Sequence, residues 1–278
     1  MTHEKQMSSA SPGLIIFLID QSSSMMEAFG AAGAGDNKAE FAAKALNRAI
    51  YEIINANTAG EKVKDRCFIT VIGYGASVKE ESSGYLNELA NNPLRIEALK
   101  KKMSDGAGGL IEIDYDLPVW VEAQANGMTP MGKGFQEAKY LVEEWIKQNP
   151  ESPAPIIINI SDGLPNDESA AEQAAKQIMS LASSDGNTLI FNVHIGTGSA
   201  GKIVFPSDTA NLSANNNANF LYGISSEIPD SYANAASEVL QGSISPGAKG
   251  YVFNADAEDL INFLQFGSSK ALVQDRVS

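Results

Sequence analysis

Apolar residues along this chain fall into short unbroken runs that alternate with longer stretches of helical spacing. "LIIFLID" (14–20) is a continuous run of strand length, the kind buried on both faces of a parallel sheet. In "DNKAEFAAKALNRAIYEIINA", Ala42, Ala45, Leu46, Ala49, Ile50, Ile53 and Ile54 share one helical face, and Asn37 with Glu40 resembles a capping box. "CFITVIGYG" (67–75) reads as a second strand, with "SVKEE" as a short edge strand after it. "PLRIEALKKKM" (93–103) reads as a helix ending at Lys100–Lys102, "SDGAGG" as a turn, and 110–127 as extended chain or loop. From Pro130 a helix buries Phe135, Ala138, Leu141, Val142, Trp145 and Ile146.

Strand "PIIINI" (155–160), helix 168–182 and strand "NTLIFNVHIG" (187–196) follow. A loop-rich stretch then runs to about residue 226 and includes the polar run "NLSANNNANF". A short helix around "SYANAASEVLQG", the strand "GYVFN" and a helix over 256–266 complete the chain. This alternation predicts an α/β fold: a doubly wound, mostly parallel sheet with helices on both faces and one short antiparallel edge strand. No linker divides it, so the expected organisation is a flexible N-terminus (1–12), one domain (13–267) and a polar C-terminal tail (268–278).

Composition narrows the function. With 44% hydrophobic and 19% charged residues, the chain belongs with folded proteins. No apolar run approaches the roughly 20 residues that cross a bilayer, and the N-terminal segment lacks the apolar centre of a secretory signal, so a cytoplasmic location is expected. The formal charge of −14 repels phosphate backbones and anionic lipid, and no basic stripe offsets it; neither nucleic acid nor membrane is an expected partner. Cys67 is the single cysteine and sits in a strand pattern, which makes it a core thiol. With only His3 and His194 besides, nitrogen and sulfur ligands for zinc or copper are lacking.

Oxygen ligands are better represented. In open α/β sheets ligands gather at the carboxyl ends of strands. Asp20 ends the first strand, and Asp162 of "NISDGLPND" ends another. Thr129 precedes Pro130, which disfavours helix before it and suits the first helical turn, so Thr129 falls on the same rim. Two carboxylates with the hydroxyls of Ser22, Ser24 and Thr129 suit a hard divalent cation such as Mg2+, which keeps several waters in its oxygen shell. Taken singly, each residue is more often an ordinary turn or cap residue than a ligand.

Asp20-Gln21-Ser22-Ser23-Ser24 matches D-x-S-x-S, and here the chain resembles the von Willebrand factor type A domain with its metal-ion-dependent adhesion site. Thr129 in "GMTPMGKGF" and Asp162 in "SDGLPND" resemble that family's second and third metal loops, in the expected order, across roughly residues 14–266. The resemblance implies that Ser22, Ser24 and Thr129 hold Mg2+, or Mn2+, through their hydroxyls. Asp20 and Asp162 then act directly or through water, and an Asp or Glu of a protein partner takes the remaining position. It also implies a non-enzymatic module with no catalytic residues. Intracellular bacterial members, including tellurium-resistance-associated type A domain proteins, are the most similar. Such relatives are linked to kinase and phosphatase partners and to stress or signalling assemblies, and can couple the terminal helix to the state of the metal site.

Other features compete. "GTGSAG" (196–201) satisfies G-x-G-x-x-G, but "KIVFPSD" rather than a helix follows it. His194 lies in a strand with no nucleophile paired to it by motif, which makes it a core histidine. Glu112, Asp114 and Asp116 share a face if 110–116 is extended, as a solvated or partner-facing surface. The alternative function is a Mg2+-dependent phosphohydrolase or phosphotransferase using Asp20 as nucleophile. Against it, Ser22 stands where a second acid is expected; Lys133, at a helix start, keeps a weak phosphate role open.

Overall fold

The computed structural model describes residues 3–29, 36–104, 110–196, 201–210, 212 and 216–272. In chain order the elements are β1 (Gly13–Asp20), α1 (Lys38–Ala56), the small hairpin β2 (Thr58–Ala59) and β3 (Lys62–Val63), β4 (Cys67–Tyr74), β5 (Val78–Tyr85) and α2 (Leu86–Asn91). Next come β6 (Arg95–Ser104), β7 (Leu110–Val119), α3 (Met131–Gln148), β8 (Ile156–Ser161), α4 (Glu168–Ser180) and β9 (Leu189–Ile195). The chain closes with β10 (Ile203–Val204), α5 (Asn216–Gly223), α6 (Ala233–Leu240), β11 (Tyr251–Ala255) and α7 (Ala257–Gly267).

The central sheet has the order β10-β11-β9-β8-β1-β4-β5. Its inner pairs are parallel, and β5 and β10 run antiparallel at the two edges. The expected edge strand is therefore present and extends to eight residues, and a second antiparallel strand closes the other edge. All eight residues of β1 are buried because alternate side chains serve two cores. Ile15, Phe17 and Ile19 pack under α1 and α7, while Leu14, Ile16 and Leu18 pack under α3 and α4. The predicted apolar face of α1 is buried in full, and Asn37 and Glu40 form the reciprocal capping box.

The region expected to be a helix over 93–103 is instead β6, paired antiparallel with β7 from Arg95↔Val119 to Ser104↔Leu110. Glu97, Ala98, Leu99 and the lysines are good helix formers, but ten residues of cross-strand pairing outweigh that local preference; Lys100 stands opposite Asp114. Asn47 of α1 anchors the base of this hairpin: its side chain accepts from the N–H groups of Trp120 (2.8 Å) and Val121 (3.1 Å) and donates to Val121 O (2.9 Å). Helix α2 forms in a stretch without a sequence assignment, and α5 in the stretch expected to be loop-rich, where Ala218 and Leu221 hold it against the sheet.

Residues 3–12 lie along the body: Lys5 N–H donates to Asp185 Oδ1 at 2.9 Å and Met7 is buried. At the other end, Ser268, Lys270 and Ala271 are also buried. Positions 105–109 of the "SDGAGG" turn and 197–200 of "GTGSAG" lie outside the described residues, as does the Glu112 side chain. Antiparallel β10 follows "GTGSAG" where a dinucleotide site needs a helix. No helix among the described residues is long and apolar enough to cross a membrane.

Candidate metal centre

The chain leaves β1 toward β4 on one side and β8 on the other, so the crevice at the carboxyl ends of β1 and β8 is the topological switch point of the sheet. Asp20 is the last residue of β1, and Ser161, the last of β8, is followed directly by Asp162. The Asp20 carboxylate is fully buried: Oδ1 accepts from Ser22 N–H at 2.9 Å and Oδ2 from the Ser161 hydroxyl at 2.7 Å. Beyond β1 the chain enters a single 3-10 turn (Ser23–Met26) that carries Ser24 over the crevice. Ser24 Oγ lies 3.0 Å from Ser22 Oγ and donates to Asp162 Oδ1 at 2.7 Å. Four of the five expected residues are thus joined by direct bonds.

Thr129 joins them through the backbone. Its N–H donates to Asn166 Oδ1 and its carbonyl accepts from Asn166 N–H at 3.0 Å, which ties the loop before α3 to the Asp162 loop. Gly127 O accepts from Ser23 N–H at 3.0 Å and ties the same loop to the first. Gly127 has φ +85°, and a Cβ there would lie 2.6 Å from the Ala76 backbone, so this linking turn requires glycine.

Burial pushes the Asp20 carboxyl up to about 6, against the opposing pull of its hydrogen bonds from Ser22 and Ser161. Such a carboxylate is under-compensated, a condition that a bound cation relieves. Lys38, the first residue of α1, adds a charge that sequence spacing did not predict. Its ammonium donates to Asp162 Oδ2 at 2.8 Å and to Glu27 Oε2 at 2.6 Å. Burial pulls this lysine down, but the bonds to Asp162 and Glu27 prevail and hold it above its ordinary value.

The donor set of two carboxylates and hydroxyls fits a hard divalent cation and offers nothing to soft metals. No cluster of three or more His, Cys, Asp or Glu suited to a metal occurs among the described residues, and a hydroxyl-rich site forms no such cluster. His194, next to the last residue of β9 and beside this crevice, behaves as a core residue: its ring stacks on Phe253 at 4.7 Å, and burial lowers its pKa to about 4. Cys67 is free and buried. Asp114 and Asp116 are exposed on the β6–β7 hairpin, away from these loops in the sequence. Ser161, Asn166, Lys38 and Glu27 escaped the sequence reading. Ser161 and Asn166 flank Asp162 in "SDGLPND", so a wider view of that loop would have found them.

No protein-family profile matches the sequence, and no curated protein matches it. Among solved structures it is similar to the manganese-loaded TRAP protein of Plasmodium vivax, at 14% identity and TM-score 0.43, over 94% of this chain and 74% of that one. It is similar to BatB of Bacteroides thetaiotaomicron at 14% identity and TM-score 0.43, over 93% and 98% of the two chains. A third likeness is to proximal thread matrix protein 1 of the mussel byssus with a zinc-occupied MIDAS motif, at 14% identity and TM-score 0.40. That match covers 69% of this chain but only 38% of the mussel protein.

Proposed function

We propose that this chain is a von Willebrand factor type A domain, a non-enzymatic module that binds a protein partner through a divalent cation. Ser22, Ser24 and Thr129 contribute hydroxyls, and Asp20 and Asp162 contribute carboxylates directly or through water. Mg2+ is the expected cation, with Mn2+ able to replace it. When bound, it supplies a positive centre at which an Asp or Glu of the partner completes the coordination shell, on a protein whose net charge of −14 otherwise repels acidic surfaces. The observation that carries this reading is the bonded juxtaposition of Asp20, Ser22, Ser24 and Asp162 at the switch point.

Two further features support a protein partner. Met26 and Met128, on the first and second loops, are 65% and 67% exposed, and adaptable apolar side chains beside a polar anchor suit a protein interface. Asp20 is fully buried with both oxygens engaged, a poor arrangement for a nucleophile that must reach phosphorus. An intracellular bacterial stress or signalling assembly, with kinase or phosphatase partners, is the setting the sequence resemblance implies. Affinity capture with purified candidate partners in Mg2+, in chelator, and with Asp20→Ala in Mg2+ tests the function. Capture by the wild type in Mg2+ alone is expected, and equal capture in all three conditions would refute it.

A further inference from the structure

Lys38 is an unusual neighbour for a cation site. It is 4% exposed, and its ammonium bonds to the same Asp162 carboxylate that is assigned to the metal. A cation and an ammonium sharing one carboxylate compete for its charge and repel each other. Asp20 and Asp162 together neutralise a divalent cation; Lys38 leaves that loaded cluster with a surplus positive charge. Glu27 meets the ammonium from the solvent side, but its side chain is 61% exposed, whereas that of Asp162 is 1% exposed. Water screens the charge of Glu27 more than that of the buried groups, so this contact offsets Lys38 only in part. The hydroxyls of Ser22, Ser24 and Thr129 are neutral and do nothing to remove the surplus.

We propose that Lys38 sets the charge of the metal site: its buried ammonium weakens the protein's own hold on the divalent cation and strengthens the cation's hold on a carboxylate offered from outside. The inference rests on the metal-site reading above and adds a division of labour to it. Asp20 and Asp162 bring the cation in, and Lys38 keeps it short of negative charge until the partner's acid arrives. The same contact keeps Asp162 paired when no cation is bound, so this buried carboxylate is not left without a counter-charge.

The test compares wild type, Lys38→Met, Lys38→Gln and Lys38→Arg. Mn2+ affinity is read from the electron paramagnetic resonance signal of the free ion. Acetate affinity of the Mn2+-loaded protein is read from water-proton relaxation. Both neutral variants are expected to bind Mn2+ about tenfold more tightly and acetate at least about threefold more weakly, because a like charge bonded to the Asp162 carboxylate is removed from a poorly screened site. Lys38→Arg keeps the charge and is expected to stay near wild type in both. A merely structural role for Lys38 would weaken both affinities together, and that result, or no change in either, would overturn the proposal. Failure of the wild type itself to bind Mn2+ would instead overturn the metal-site reading from which the inference starts.

Discussion

Asp20→Asn should stabilise the metal-free protein at neutral pH while abolishing its affinity for divalent cations. The Asp20 carboxyl rises from 3.8 to about 6 on folding, a difference worth roughly 3 kcal/mol at about 1.36 kcal/mol per unit. A raised carboxylate pKa means that the folded state binds the extra proton between these values. Stability is therefore fully retained below the unfolded value and falls as pH rises through 4 to 6. Asparagine removes that cost and can keep the geometry. Its Oδ1 still accepts from Ser22 N–H, its amide donates to Ser161 Oγ, and the Ser161 hydroxyl turns to Gly163 O, which it already approaches at 3.2 Å.

His194 works in the opposite direction over almost the same range. Burial lowers its pKa from 6.5 to about 4, so stability is lost as pH falls through that interval. The wild-type profile alone therefore conceals both effects, and the readout is the difference between variant and wild type in urea denaturation with chelator. That difference should be small at pH 4 and grow to about 2 to 3 kcal/mol in favour of Asp20→Asn above pH 7. Adding Mg2+ should stabilise only the wild type. A difference that stays flat with pH, or favours the wild type at pH 7.5, would refute the account of Asp20 as an ionised carboxylate awaiting a cation.

Replacing His194 with Phe should flatten the loss of stability between pH 6.5 and 4 by up to about 3 kcal/mol, measured by denaturation against pH in chelator. Ser22→Ala and Ser24→Ala should each weaken Mn2+ binding at least about tenfold by titration calorimetry with unchanged circular dichroism; unaltered affinity would remove those hydroxyls from the site. Asn47→Ala breaks three buried hydrogen bonds at the base of the β6–β7 hairpin and should cost about 2 to 4 kcal/mol, seen as a lower thermal midpoint with metal affinity preserved.

Much of this architecture is legible in the chain because its signals are local. The unbroken apolar run of β1, the spacing along α1 and its Asn37/Glu40 cap, and the faces of α3 and α7 each determine their own element. The D-x-S-x-S spacing is likewise local, since a strand end and one 3-10 turn bring Asp20, Ser22 and Ser24 together. What escaped depends on distant partners. Strand β6 is built from helix formers and takes its conformation from its antiparallel pairing with β7. Helix α5 forms from a polar, asparagine-rich stretch because Ala218 and Leu221 find the sheet. Lys38 reads as the first residue of an amphipathic helix, and its reach to Asp162, 124 residues away, follows only from the way α1 is set against β8.

Five side chains from three loops are assigned to one cation, with one position left open. Anomalous diffraction from a crystal soaked in Mn2+ and acetate tests this assignment most directly. A single strong peak is expected within about 2.5 Å of the Ser22, Ser24 and Thr129 hydroxyl oxygens, with acetate or water at its exposed position. A crevice without that peak, or a cation enclosed entirely by protein ligands, would contradict it.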